Sequence, residues 1–306
     1  MVNFIASCLQ NPSISKRAIN SIEEEMSLNK IKVAAASISN YIGDVDKSVE
    51  KMDLWSYKAK QENADLILFP ELSLSGYIPA SISKDIAETV PGPSADKMIG
   101  IAVKYSITIG FGIIEKDNDK IYCSHVLVNK NGIIGKQRKI HVPDQESSYW
   151  QAGSSIDVFD IGTAKVGISI CRDSFFPEYQ RTLYFKEAEI VLMPFSYYNV
   201  PRSRYLNDTH HGRSIQVNSW NNGFFSVFCN NAEDRPPNEW EKNGRKFPGW
   251  AGIIDPWGSI ICYTDSDGNN ESMVCAELEP SIMDDRRKHP NFLAEELQVG
   301  LYKFNH

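Results

Sequence analysis

Two apolar runs of β character each end at a polar turn carrying a reactive side chain, and a third turn between them supplies a lysine. The run Ala64-Asp65-Leu66-Ile67-Leu68-Phe69 is broken by Pro70 just before Glu71, and Lys165-Val166-Gly167-Ile168-Ser169-Ile170 ends at Cys171. Lys139 sits in KQRKIHVP, between the two. Beyond Cys171, Asp173 and Ser174 can cap a helix through Glu178-Tyr179-Gln180-Arg181. A residue at such a junction projects from the carboxyl end of a buried sheet, where α/β folds place their chemistry.

The rest of the chain fits that class. Ile31-Lys32-Val33-Ala34-Ala35-Ala36 predicts a first strand, and Val45, Val49, Met52, Trp55 and Ala59 recur at helical spacing before the strand that leads to Glu71. That is a β-α-β unit. A helix over 94–105 precedes Ile107-Thr108-Ile109-Gly110-Phe111-Gly112-Ile113-Ile114, and the turn Asn129-Lys130-Asn131-Gly132 predicts a hairpin running into the Lys139 loop. Further strands are expected over 166–170, 190–193, 224–228, 251–254, 259–263 and 273–276, with helices over 178–186 and 209–220. Alternating elements with several hairpins predict a mixed α/β sheet buried by helices. Residues 1–30 read as a polar helical extension, and 31–306 as one domain.

Composition narrows the function. With 306 residues and 42% hydrophobic content, the chain can bury a full core. Acids outnumber bases 39 to 32 for a net charge of −7, and no basic stripe interleaves with aromatics, which argues against nucleic acid as a partner. No stretch approaches the ~20 apolar residues of a membrane span. The start MVNFIASCLQNPS has no basic segment before its short apolar run, so the chain is expected to be cytoplasmic. The six cysteines, at 8, 123, 171, 229, 262 and 275, form no C-x-x-C pair, which fits reduced thiols. Cys262 and Cys275 flank a turn and are expected, still free and buried, to face each other across a hairpin. No metal or cofactor is called for. The adjacent His210 and His211 lack a carboxylate at i+4 and make a poor chelator.

Taken singly, a cysteine ending an apolar strand is ordinarily a small buried hydrophobe, and a lysine in a basic stretch a solvated charge. Together, Glu71, Lys139 and Cys171 provide an acid, a cation and a thiol with which nucleophilic catalysis can be run. His141, two residues from Lys139, is the alternative base, because Cys–His pairs drive many thiol hydrolases.

In order, FPELSLSGY, RKIHVP and ICRDSFFPE resemble the three catalytic motifs of the nitrilase, or carbon–nitrogen hydrolase, superfamily. The similarity runs from about Ile31 to the Leu301-Tyr302 region. Glu146, seven residues before Gly153, matches an additional structural glutamate. GRSIQVNSW and FFSVFCNNA resemble a following helix and strand, Gln216 and Val217 departing from the usual acid and amide. The stretch 249–258 resembles a G-x-S-x-I-x-D-P-x-G hairpin, with Ala251 in place of serine.

This resemblance implies a four-layer αββα sandwich that dimerises or assembles further through its outer helices. It implies Cys171 as nucleophile, Glu71 as general base, Lys139 as oxyanion partner together with the Arg172 backbone N–H, and Glu146 as a group positioning both. Tyr77, Arg172, Phe195, Tyr197 and Asn199 are the expected substrate-binding residues, and Arg202 and Arg204 are candidates to hold a carboxylate. The expected reaction is hydrolysis of a small linear amide or N-carbamoyl compound through a thioester. The sequence Cys171-Arg172-Asp173, rather than Cys-Trp-Glu, disfavours nitriles. The alternatives are a nitrilase or an inactive binding member of the family.

Overall fold

The computed structural model describes residues 28–198, 210–265 and 271–298. The expected N-terminal extension lies outside them up to residue 27.

β1 (Ile31–Ser37), α1 (Val45–Gln61) and β2 (Leu66–Leu68) form the expected β-α-β unit. The Asp44 side chain caps α1 by accepting the Lys47 backbone N–H at 3.2 Å, and Met52, Trp55 and Ala59 make its buried stripe. A short α2 (Ser83–Ile86) and α3 (Pro93–Tyr105) lead to the meander β3 (Thr108–Asp117), β4 (Lys120–Asn129) and β5 (Gly132–Arg138). After α4 (Asp144–Ser147) come β6 (Val158–Asp160), β7 (Lys165–Ile168), a 3₁₀ turn Cys171–Phe175 and α5 (Pro177–Phe185). The second half continues with β8 (Ile190–Phe195), α6 (His210–Asn222), β9 (Phe225–Asn230), β10 (Ala232–Arg235) and β11 (Arg245–Pro248). It closes with β12 (Trp250–Ile254), β13 (Ile260–Asp265), β14 (Ser272–Leu278) and α7 (Pro280–Lys288).

Two six-stranded sheets result, ordered β14-β1-β2-β3-β4-β5 and β13-β12-β9-β8-β7-β6, with β10 and β11 as a separate hairpin. Each sheet has a parallel centre, β1-β2-β3 and β7-β8-β9. Antiparallel strands flank both centres. Strand alternation sorts the side chains into three apolar layers. Val33, Leu68, Ile168, Leu192 and Val227 fill the space between the sheets. Ala34, Ile67 and Ile109 pack outward on Met52 and Met98 of α1 and α3, while Val191, Met193 and Phe228 pack on Leu183 and Ile215 of α5 and α6. The architecture is therefore αββα, in one domain.

Cys262 and Cys275 do not face each other across a hairpin. β13 pairs with β12 in one sheet and β14 with β1 in the other, because the chain crosses between sheets after β13. Both thiols are free, but half-buried rather than buried.

Candidate active site

The three reactive residues leave strand ends that converge between the sheets: Glu71 follows β2, Lys139 follows β5 and Cys171 follows β7. The Glu71 turn lies directly on β3, where a Cβ on Gly112 would come within 2.0 Å of the Leu72 nitrogen. Only glycine permits that approach. The Lys139 carbonyl accepts the Gly153 N–H at 2.8 Å, which accounts for the Glu146-to-Gly153 spacing: the chain beyond α4 returns to the lysine strand.

Lys139 is fully buried between two carboxylates, its Nζ 2.8 Å from Glu71 Oε1 and 2.7 Å from Glu146 Oε2. Burial pulls its pKa down, but the charges of Glu71 and then Glu146 outweigh that and hold the ammonium well above its ordinary value. The magnitudes agree in sign. At an effective dielectric of ~20 a pair 2.8 Å apart attracts by roughly 6 kcal/mol, against several kcal/mol for burying an ion. Burial pushes the Glu71 carboxyl up, Lys139 opposing and Glu146 adding. Among the described residues its buried Oε2 has no hydrogen-bond partner.

Cys171 is half-buried and its backbone is in the left-handed region, at φ 46°. For a residue with a Cβ this is strained, as at other sharply turned functional positions. Burial, then the Glu71 charge, pushes its thiol well above the ordinary value, with Lys139 and the Ser196 backbone N–H opposing. A thiol held that high is protonated at neutral pH.

His141 is occupied elsewhere. Its Nδ1 lies 2.8 Å from Asp173 Oδ1, and its ring stacks on Phe176 at 3.5 Å between centroids. Asp173 also accepts the backbone N–H groups of His141 at 2.8 Å and Ile140 at 3.3 Å, tying the lysine loop to the nucleophile turn.

The expected substrate-binding residues divide. The Tyr77 hydroxyl donates to Glu146 Oε1 at 2.6 Å and its ring is buried against Trp150 and Phe247. Phe195 follows Val191 and Met193 on the helix-facing side of β8 and is fully buried against Trp250, in a cluster on which Cys171 and Tyr197 also pack. Tyr197 and Cys171 pack against the same buried cluster, and burial, then the Cys171 charge, raises the pKa of the Tyr197 hydroxyl. The Arg172 side chain is exposed. Asn199, Arg202 and Arg204 lie outside the described residues.

Several site residues were not singled out from the sequence. Asn230 holds Tyr197 through both backbone groups at 2.8 Å each, and the Ser196 hydroxyl donates to the Glu71 carbonyl at 2.9 Å. The Cys123 thiol lies 3.5 Å from Glu71 Oε1. Gln216 donates to the Gly258 carbonyl at 3.2 Å, so this departure from the family pattern serves a structural contact. Among the described residues no group of three or more His, Cys, Asp or Glu side chains is placed to hold a metal.

The model for carbon–nitrogen hydrolases matches residues 32–288. A nitrilase of Pyrococcus abyssi is 29% identical over 261 residues, spanning 84% of this chain and 93% of its own. A citrullinase of Francisella tularensis is 29% identical over 250 residues, spanning 78% and 86%. A carbon–nitrogen hydrolase of Helicobacter pylori superposes with a TM-score of 0.75 at 18% identity, over 90% of this chain and 97% of that one. An amidase from Nesterenkonia superposes at 0.70 and 19% identity, over 86% and 95%. These superpositions establish the fold, and the family match covers nearly all the described chain: the protein is a carbon–nitrogen hydrolase and belongs to the nitrilase superfamily.

Proposed function

We propose that the protein hydrolyses the C–N bond of a small linear amide or N-carbamoyl compound through a thioester on Cys171, releasing ammonia. The observation that carries this reading is the Glu71 carboxylate: Oε1 is held by Lys139 at 2.8 Å, Oε2 has no partner among the described residues, and its charge acts on the Cys171 thiol.

As Sγ of Cys171 attacks the carbonyl carbon, Glu71 takes the thiol proton. The oxyanion is met by the Lys139 ammonium and the Arg172 backbone N–H. Collapse of the tetrahedral intermediate breaks the C–N bond, and protonated Glu71 gives its proton to the departing nitrogen. Glu71 then takes a proton from the water that attacks the thioester, restoring the thiol and releasing the acid. A raised Glu71 pKa suits both halves, since a stronger acid would be a poorer base. Glu146, held by Tyr77, keeps the ammonium in place without entering the chemistry.

Support from relatives is mixed in substrate but uniform in bond class. The names nitrilase, citrullinase and amidase all describe C–N chemistry. A mutant of the Nesterenkonia amidase is described with covalent addition of the acetamide moiety of fluoroacetamide at its active-site cysteine. Nitrile hydrolysis is the second reading, favoured by the nitrilases among the curated relatives. A panel of linear amides, N-carbamoyl compounds and nitriles assayed for ammonia separates the two. Turnover of amides or carbamoyl compounds is expected, with carbon dioxide from the latter, and turnover of nitriles alone refutes the proposal.

We further propose a homo-oligomer assembled through α5 and α6, whose outer faces expose Phe185, Val217 and Trp220. Light scattering on the purified protein tests it, a monomeric mass being the contrary result.

A further inference from the structure

Cys123 is a buried thiol that touches the catalytic residues twice. Its backbone carbonyl accepts the Lys139 N–H at 2.9 Å, and its Sγ lies 3.5 Å from Glu71 Oε1. Strand alternation produces the placement. On β4, Ser124 faces Glu115 on the opposite side, while Cys123 and Leu127 face the layer between the sheets. Burial, and then the Glu71 charge, hold the Cys123 thiol well above its ordinary value, so at neutral pH it is a protonated donor. Among the described residues Glu71 Oε1 therefore has two donors, Lys139 and Cys123, and Oε2 has none.

We infer that Cys123 is a positioning residue of the hydrolytic site: with Lys139 it holds Glu71 by Oε1 and leaves Oε2 as the oxygen that exchanges the proton. This rests on the reading of Glu71 as the base. An S–H group is a weaker donor than O–H, so it orients the carboxylate without strongly favouring its ionised form. A group that must take a proton in one half-reaction and return it in the other needs that balance. A hydroxyl at the same place would lower the Glu71 pKa, and a methyl would raise it. The other groups acting on Glu71, namely Lys139, Glu146 and Cys171, are untouched by either change.

The test is the titration of the Glu71 carboxyl, followed by carbon-13 NMR of protein labelled at glutamate side-chain carboxyls. The signal is assigned by its loss in Glu71→Gln. Against the unaltered protein, Cys123→Ser is expected to lower the midpoint by about half a pH unit to one unit, and Cys123→Ala to raise it by a similar amount. The acid limb of kcat/KM should move in the same order. Cys123→Ser is nearly isosteric and carries the test alone if the alanine variant fails to fold. A Glu71 midpoint that coincides with the unaltered protein in the folded serine variant overturns the inference. A midpoint that moves while the acid limb stays still supports Cys123 as positioning residue and contradicts Glu71 as the base.

Discussion

Asp173 Oδ1 receives the His141 backbone N–H at 2.8 Å and lies 2.8 Å from Nδ1 of the same residue. One buried carboxylate thus joins the loop that carries Lys139 to the turn that carries Cys171, two residues away. Asp173→Asn removes the charge and weakens that clamp, and kcat/KM should fall on the order of tenfold to a hundredfold, since small misplacements of reacting groups are costly. Steady-state kinetics beside a thermal melt checks it. His141→Ala should stay within about tenfold of the unaltered enzyme, because the imidazole is engaged with Asp173 and Phe176. A dead His141→Ala beside an active Glu71→Gln would reverse the assignment of the base.

Glu71, Lys139 and Cys171 act on one another electrostatically and should fail as a unit. Glu71→Gln, Lys139→Ala and Cys171→Ala are each expected to lower kcat by a factor on the order of a thousand or more. The double variant Glu71→Gln with Cys171→Ala should be little worse than either alone. Losses that multiply across the pair contradict a shared role.

His125 supplies a stability test. It is fully buried, neither ring nitrogen has a partner among the described residues, and burial depresses its pKa from 6.5 to about 3. The unfolded chain binds a proton near pH 6.5, whereas the folded chain resists until about pH 3. Its contribution is therefore fully present above pH 6.5 and is lost as pH falls toward 3. Between pH 7 and pH 5 that amounts to about 2 kcal/mol. Denaturant unfolding of the unaltered protein and of His125→Leu at both values checks it, the variant being less sensitive to the acid step by about that amount. Equal sensitivity in both proteins contradicts it.

Much of this site was legible because its reactive residues are local events. Glu71 and Cys171 end apolar runs, and a strand end can be read from the sequence around it. Glu146 was legible only through its spacing to Gly153, which the structure explains by the return of the chain to Lys139. Contacts between distant segments were not legible. Cys123 lies 52 residues from Glu71 in sequence, Asp173 32 from His141 and Asn230 33 from Tyr197, and no local pattern announces such pairs. The face on which Phe195 lies was not legible either. The period of two along β8 sets it beside Val191 and Met193 on the helix face, a parity that position after a strand does not reveal. The Cys262–Cys275 hairpin failed because the chain changes sheets between β13 and β14.

A covalent intermediate on Cys171 can be trapped by acid quenching during turnover and read by peptide mass spectrometry. With an amide or N-carbamoyl compound that the enzyme turns over, the peptide containing Cys171 should gain the mass of the acyl or carbamoyl group. Cys171→Ala should show neither adduct nor ammonia release. Ammonia release that persists in folded Cys171→Ala, or an adduct on another cysteine that chases to product, would rule out a thioester on Cys171.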